Sequence, residues 1–488
     1  MFVRPKDYIA VNFRLSRISS NRWMVLFIAS IASFMAPFDA SVVNLALPAI
    51  TRSLGATFVD LILISTVYLV VIASFQTTFG RLGDRSGMKR VFVLGVVVFT
   101  AGSFLAGLSP GIPELLSFRI VQGVGAAMMS AIAGALVVAA FPAAERGRAL
   151  GINLGAVYTG LTAGPLVGGV LVELFGWRSI FYVNVPIGII TTILAYLYLK
   201  EENVPRSNTR FDFPGVITLT LFLVTLLLSL SGLGLPSWGL VALIFTCLVS
   251  FGGFIVLERR PGITPLIDLR LFTQNRPFAA GNATALMNYA TSSGALLIMS
   301  LYLQEIRGYS PLTAGLILLL QPIVMVITAP ISGTLSDRVS PGILSAIGMA
   351  VRVVAFLLLS LLGVSSSGAF IWVPLMLVGL GHALFSSPNT NSVMSSVPRD
   401  QIGLASGTLG TVRSAAQSIG VAILGGVVAS ALPPGTFAAL NEGGSVASSG
   451  TAQLFLTGMH EAFLIAAALS AIGIFTSLVR GKSQRPTR

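Results

Sequence analysis

Gly80-Arg81-Leu82-Gly83-Asp84-Arg85 follows one long apolar run, and Gly333-Thr334-Leu335-Ser336-Asp337-Arg338 follows another, 253 residues later. Gly55 and Gly308 share that offset, and so do Arg146 and Arg399. One copy of such a hexapeptide is ordinary turn chemistry, because Gly and Asp suit tight loops. Three coincidences at a single offset instead indicate a duplicated unit.

The surrounding sequence fixes the solvent in which that unit folds. Of the 488 residues, 54% are hydrophobic and 10% are charged, with a mean hydropathy of +0.89. Runs of about 20 apolar residues, the length that crosses a bilayer core, recur from Trp23 almost to the end. Fourteen such spans are predicted, including 23–48, 213–231, 277–303 and 459–479. The fold class is therefore all-α and polytopic, with two six-helix bundles and two inserted helices. The expected divisions are an N-terminal arm (1–22), a first bundle (23–199), inserted spans 7 and 8 with their flanking loops (200–276), a second bundle (277–479) and a tail (480–488).

The net charge of +13 would suggest nucleic acid in a soluble chain. Its distribution argues otherwise. The arm, the tail and alternate loops hold 24 of the 30 Lys and Arg, while only Arg52, Arg178 and Arg307 lie in the opposite loops. That asymmetry predicts that both termini are cytoplasmic. A bilayer, not a nucleic acid, is the expected large partner. Cys247 is the single cysteine, so neither a disulfide framework nor a thiolate metal site is expected. His460-Glu461 begins like a zinc-protease motif, but Leu464 occupies the place of the second His. No metal or cofactor is expected.

The run Gly80 to Arg90 resembles the loop signature of the major facilitator superfamily. Gly160-Leu161-Thr162-Ala163-Gly164-Pro165-Leu166-Val167-Gly168-Gly169 in span 5 is similar to the motif of its fourteen-helix drug:proton antiporter branch. Phe38 to Pro48, Arg119 to Gly125 and Trp177 to Pro186 resemble further signatures of that branch. The resemblance covers nearly the whole chain. It implies a proton-coupled antiporter that exports small amphiphilic or cationic drugs or metabolites by alternating access, as a monomer in the inner (plasma) membrane. The alternative within the fold is a symporter or facilitator that imports a nutrient. A membrane-embedded enzyme would need a nucleophile and base or a metal cluster, and two His, one Cys and one deep carboxylate do not supply them. A purely sensory role would leave that carboxylate unexplained.

The deep carboxylate is Asp39, and an acid at mid-membrane costs about 3 kcal/mol, which makes a functional role the default. Its repeat equivalent is Ser292, so carboxylate coupling belongs to the first bundle. Counting 1.5 Å per residue from the span ends puts Arg119 within about 5 Å of the depth of Asp39. The two are the expected proton-coupling pair if spans 1 and 4 are neighbours, as the family fold implies. By the same analogy spans 1, 4, 9 and 12 line a cavity, with Gln122, Asn288, Tyr289, His382 and Asn389 as candidate substrate contacts. Arg352 lies on a span that the analogy makes peripheral, where snorkelling or packing is expected. Conformational gating is assigned to Gly80, Asp84, Arg85 and Gly87, to Gly164, Pro165, Gly168 and Gly169, and to Asp337, Arg338 and Arg413. An outer loop is expected from about Ala431 to Gly458.

Overall fold

The computed structural model describes residues 21–142, 145–200, 213–230, 237–260, 267, 269–336, 339–397, 402–432 and 450–480, without the side chains of 84, 85, 146, 147, 213 and 402–404. Hydrocarbon offers no partner to a peptide group, so each crossing must satisfy its own N–H and C=O, and helix is the outcome. In chain order the long helices are α1 (Arg22–Leu54), α2 (Phe58–Ser86), α3 (Met88–Gly107), α4 (Ile112–Ala140) and α5 (Arg146–Phe175). Then come α6 (Ser179–Tyr198, broken at Val183), α7 (Phe213–Leu230), α8 (Ser237–Glu258) and α9 (Arg276–Leu301). They are followed by α10 (Pro311–Leu335, interrupted at Leu319), α11 (Pro341–Leu359), α12 (Gly368–Ser395), α13 (Ile402–Ala431) and α14 (Gly450–Leu478).

Among the described residues, twelve of these are long and apolar enough to cross a membrane. The other two are α7, apolar over the described Pro214–Leu230, and α9, which is more polar. The polarity of α9 has a structural cause. Asn282, Thr284, Asn288 and Thr291 are all buried against neighbouring helices rather than facing lipid.

The duplication is visible in the pairing of helices. In the first half α1 packs on α5, α3 on α4, α2 on α4 and α3 on α6; in the second, α9 packs on α13, α11 on α12, α10 on α12 and α11 on α14. The two glycines of the repeat behave alike, with φ of 64° at Gly55 and 63° at Gly308, the left-handed conformation that closes a helix cheaply only without a Cβ. The halves meet along α2 against α13 and α5 against α10. The inserted pair α7 and α8 pack on each other, and α7 lies against both α2 and α13, beside that junction.

Two local expectations change. The signature after span 2 is helix rather than loop: α2 runs to Ser86 and α3 starts at Met88, leaving Gly87 (φ 100°) as the whole connection. The last helix starts at Gly450, nine residues before the expected 459, because Gly458 lies so close to Val428 and Ala431 that the helix extends along α13. Asp337, Arg338, Arg399 and most of the outer loop lie outside the described residues.

Candidate functional site

Asp39 sits midway along α1, where its side chain is fully enclosed. The closure is built by small residues. A Cβ on Gly102 of α3 would fall 2.7 Å from the Gln122 nitrogen, and one on Gly123 of α4 would fall 3.1 Å from the Tyr68 carbonyl oxygen. Helices α2, α3 and α4 therefore approach to backbone contact around the acid.

Arg119 and Gln122, one turn apart on α4, both reach Asp39. Arg119 Nη1 donates to Asp39 Oδ2 at 2.5 Å and to Gln122 Oε1 at 2.6 Å. Gln122 Nε2 donates to Asp39 Oδ1 at 2.8 Å and to Ser103 Oγ on α3 at 2.8 Å. Asn184, at the break in α6, donates its amide to Asp39 Oδ1 at 2.9 Å. The guanidinium carbon lies 4.2 Å from the Tyr68 ring centre. Side-chain exposure is 0% for Asp39 and 1% for Arg119. Two charges held this far from water are stable only as a pair with their remaining polar atoms bonded, and removing one partner of such a pair costs about 3–5 kcal/mol. Arg119 Nε and Asn184 Oδ1 are left without partners, so the cluster is close to, but short of, full satisfaction.

Asp39 and Arg119 are thus brought together. Gln122, expected at the substrate, instead belongs to their cluster and is wholly buried. Asn184, Ser103 and Tyr68 were not singled out. Asn184 lies within the Trp177 to Pro186 signature, where Pro186 cannot donate a helical hydrogen bond to Tyr182 and so signals a break, but nothing local says that the break turns the amide inward.

Three other substrate candidates converge in the second half. Asn288 Nδ2 lies 3.0 Å from His382 Nδ1, and the Tyr289 and His382 rings meet edge to face at 5.4 Å. Asn389 is separate, accepting from Arg480 beyond α14. Of the two expectations for Arg352, packing is what the structure has. It does not snorkel: it is fully buried, donates to the Asn288 carbonyl at 3.2 Å and to Thr291 Oγ1 at 2.5 Å, and its guanidinium carbon lies 5.1 Å from the Phe356 ring centre. Helix α11 packs on α12, where Gly381 makes room for the Arg352 stem, and the guanidinium reaches across to α9. Arg413 sits eleven residues after Ile402 with its guanidinium carbon 5.9 Å from the Tyr289 ring centre.

Hydrogen bonds cross between the halves at the end that carries the α1–α2 turn. Arg52 Nη2 donates to Glu305 Oε1 at 2.6 Å, Ser300 donates to the Asn44 carbonyl and Gln304 to the Leu45 carbonyl. Glu173 accepts from the Leu312 backbone N–H at 3.0 Å. The glycines of span 5 serve two contacts here. A Cβ on Gly164 would fall 2.4 Å from Ser41 Cβ on α1, while Gly169 meets Leu312 of α10 and Gly315 of α10 meets the Pro165 carbonyl. Farther along, Thr77 bonds Thr411 at 2.9 Å and the Tyr158 hydroxyl bonds Ser386 at 2.7 Å. Gly80 and Gly83 of the loop signature face α4; the side chains of Asp84 and Arg85 are outside the described residues.

Comparison with known proteins agrees with this arrangement. The family model described as Major Facilitator Superfamily matches residues 29–421. The chain is 33% identical over 413 residues to the riboflavin transporter RibZ of Clostridioides difficile, covering 84% of this chain and 89% of the relative. It is 35% identical over 410 residues to the multidrug resistance protein Stp of Mycobacterium tuberculosis, covering 83% and 76%. A solved bacterial homolog of the human lysosomal transporter Spinster, inward-facing and unoccupied, superposes with a TM-score of 0.68 at 17% identity over 95% of this chain and 99% of that one, a likeness of fold. With a family match over most of its length, relatives above 30% identity and the duplicated helical architecture, this chain belongs to the Major Facilitator Superfamily.

Proposed function

We propose that the chain is a proton-coupled antiporter that exports small amphiphilic molecules by alternating access, working as a monomer in the inner membrane with both termini cytoplasmic. The observation that carries this reading is the enclosure of Asp39 by Arg119, Gln122 and Asn184. With all its neighbours in place the carboxylate has its counter-charge and no free face. A rearrangement that draws α4 from α1 separates it from Arg119, and the cheapest replacement for the lost guanidinium is a proton. Return of Arg119 then expels that proton on the other side. Coupling arises because substrate and proton each favour a different arrangement of the same helices. The relative named for multidrug resistance supports export.

The α1–α2 end is the outer end in this reading, so the Arg52–Glu305 junction holds the outer side shut. The glycines and Pro165 of α5, and the Gly80 to Arg85 stretch with Gly87 and its second-half counterpart at Asp337 and Arg338, belong to the moving joints. The enclosure of Asp39 removes one ground for a cationic preference: the deep carboxylate is already occupied.

The test needs a substrate found by a toxicity panel in an efflux-deficient host. In proteoliposomes, Asp39→Asn is expected to abolish uphill transport driven by a pH gradient while downhill exchange continues. Full gradient-driven accumulation by Asp39→Asn would remove Asp39 from coupling. The riboflavin-transporting relative supports a second reading, uptake of a nutrient, and net flux toward the cytoplasmic side with the proton gradient would favour it.

A further inference from the structure

The interior charge of the molecule is unbalanced. In the first half Asp39 and Arg119 cancel. In the second half nothing cancels. Its six helices carry a single acidic residue, Glu461 on α14, and that residue is exposed. Yet Arg352 and Arg413 both lie within them. Arg352 is fully buried, bonds only a carbonyl and a hydroxyl, and leaves Nε and Nη1 without partners. Arg413, roughly 16 Å along α13 on a rise of 1.5 Å per residue, has a ring contact with Tyr289 but no hydrogen bond or ion pair among the described residues. It is only partly buried, although it is far from either end of its helix.

An unpaired guanidinium at this depth is expensive, and such a residue in a transporter ordinarily faces a pathway. The surroundings of Arg413 fit an aromatic anion. Tyr289 offers a ring on one side. Tyr158, from α5 of the other half, lies within electrostatic reach of both and presents its hydroxyl to Ser386. Behind Tyr289 stand His382, whose Nδ1 faces the Asn288 amide, and then Arg352. Every charged group here is a cation.

We propose that the second half binds the anionic group of the transported molecule, an organic carboxylate or ionised phenol on an apolar body, at Arg413 beside Tyr158 and Tyr289. Arg413 supplies the charge-assisted hydrogen bonds, the two tyrosines supply ring faces and hydroxyls, and buried Arg352 adds long-range positive potential in a medium that screens it poorly. Because Tyr158 belongs to the first half and Arg413 to the second, an anion held by both ties the halves together at the level where they must separate. The inference rests on the export reading only for the direction in which the anion travels.

Three fluorescent probes of one shape separate charge from size: dansylglycine (anion), dansylglycinamide (neutral) and dansyl-ethylenediamine (cation). With purified full-length protein in gluconate buffer, dansylglycine is expected to bind at least about tenfold more tightly than dansylglycinamide, the usual value of a hydrogen bond to a charged group. Arg413→Gln should level the two affinities, and Arg413→Lys should keep most of the preference. Equal affinities in the wild type, no binding of dansylglycine, or an undiminished preference in Arg413→Gln would overturn the proposal. Displacement of dansylglycine by chloride but not by dansylglycinamide would assign the site to an inorganic anion and would also overturn it. Gradient-driven uptake of dansylglycinamide without any charge preference would remove this inference and leave the export reading standing. A clear preference for dansylglycine without gradient-driven uptake of any probe would do the reverse.

Discussion

At the scale of single residues, the ion pairs of this chain divide by what water can reach. Asp39 and Arg119 are both sealed, whereas Arg52 is half exposed and its partner Glu305, just past the end of α9, is 2% exposed. The two stand 253 residues apart, the repeat offset itself, so they join equivalent positions of the two halves. Burial, the larger influence, raises the Glu305 pKa above the ordinary 4.5, and Arg52 opposes it through its hydrogen bond and charge. The nearby Arg307 is engaged elsewhere, with the Val364 and Ser366 carbonyls. The closed junction therefore holds a proton on Glu305 more tightly than an open one that leaves the side chain in water. That contribution to closure is complete below pH 4.5 and is lost as pH rises through the raised value. Spin labels at the exposed Ser53 and Thr313 should show the short separation giving way to a longer one across that rise. In Glu305→Gln the change should vanish; persistence there would take Glu305 out of the junction's pH response.

At the scale of helices, glycine decides which faces can meet. On α5, Gly160 and Gly164 let α1 approach, and Gly169 on the same helix turns to α10. The halves meet backbone to backbone where a Cβ on Gly315 would fall 2.2 Å from the Pro165 carbonyl oxygen. Backbone cannot yield there as the end of a long side chain would. Gly315→Val should cost about 1–3 kcal/mol of overpacking in the closed junction, enough to move the closed-to-open ratio roughly 5–150-fold. The same pair of spin labels should report a longer separation at every pH. Gly134→Ala, where a Cβ meets nothing within 4 Å, is the matched control and should leave the distances unchanged. An unaltered separation in Gly315→Val would mean that the α5–α10 contact does not hold this end shut.

At the scale of the whole molecule, two homologous halves meet along α2–α13 and α5–α10, and the inserted helix α7 rests on α2 and α13. Relative motion of the halves must pass through those seams, since each half is internally tied by its own buried polar cluster. Direction depends on orientation, which the distribution of Lys and Arg predicts. A cysteine at Ser445 should react with an impermeant thiol reagent from outside intact cells, and one at Ser207 should not; both positions lie outside the described residues. The sole native thiol, Cys247, is buried and gives little background. Labelling at Ser207 with protection at Ser445 would invert the molecule and with it the assignment of the shut end as outer.

Helix number, duplication, family and the deep burial of Asp39 beside Arg119 were legible in the sequence, because in hydrocarbon the length and polarity of a run are themselves structural constraints. What faces what was not. Gln122 and Asn389 read as cavity residues but are tied to Asp39 and Arg480, and Arg352 read as peripheral but is buried between α9, α11 and α12. The same holds for Asn184 at the break in α6 and for Arg52 with Glu305, partners that no local pattern connects. A transmembrane helix with apolar residues on every side gives no periodic signal of its rotation about its own axis. Its facing is set by backbone contacts at glycines and by where buried polar groups find partners, and both exist only after the helices have assembled.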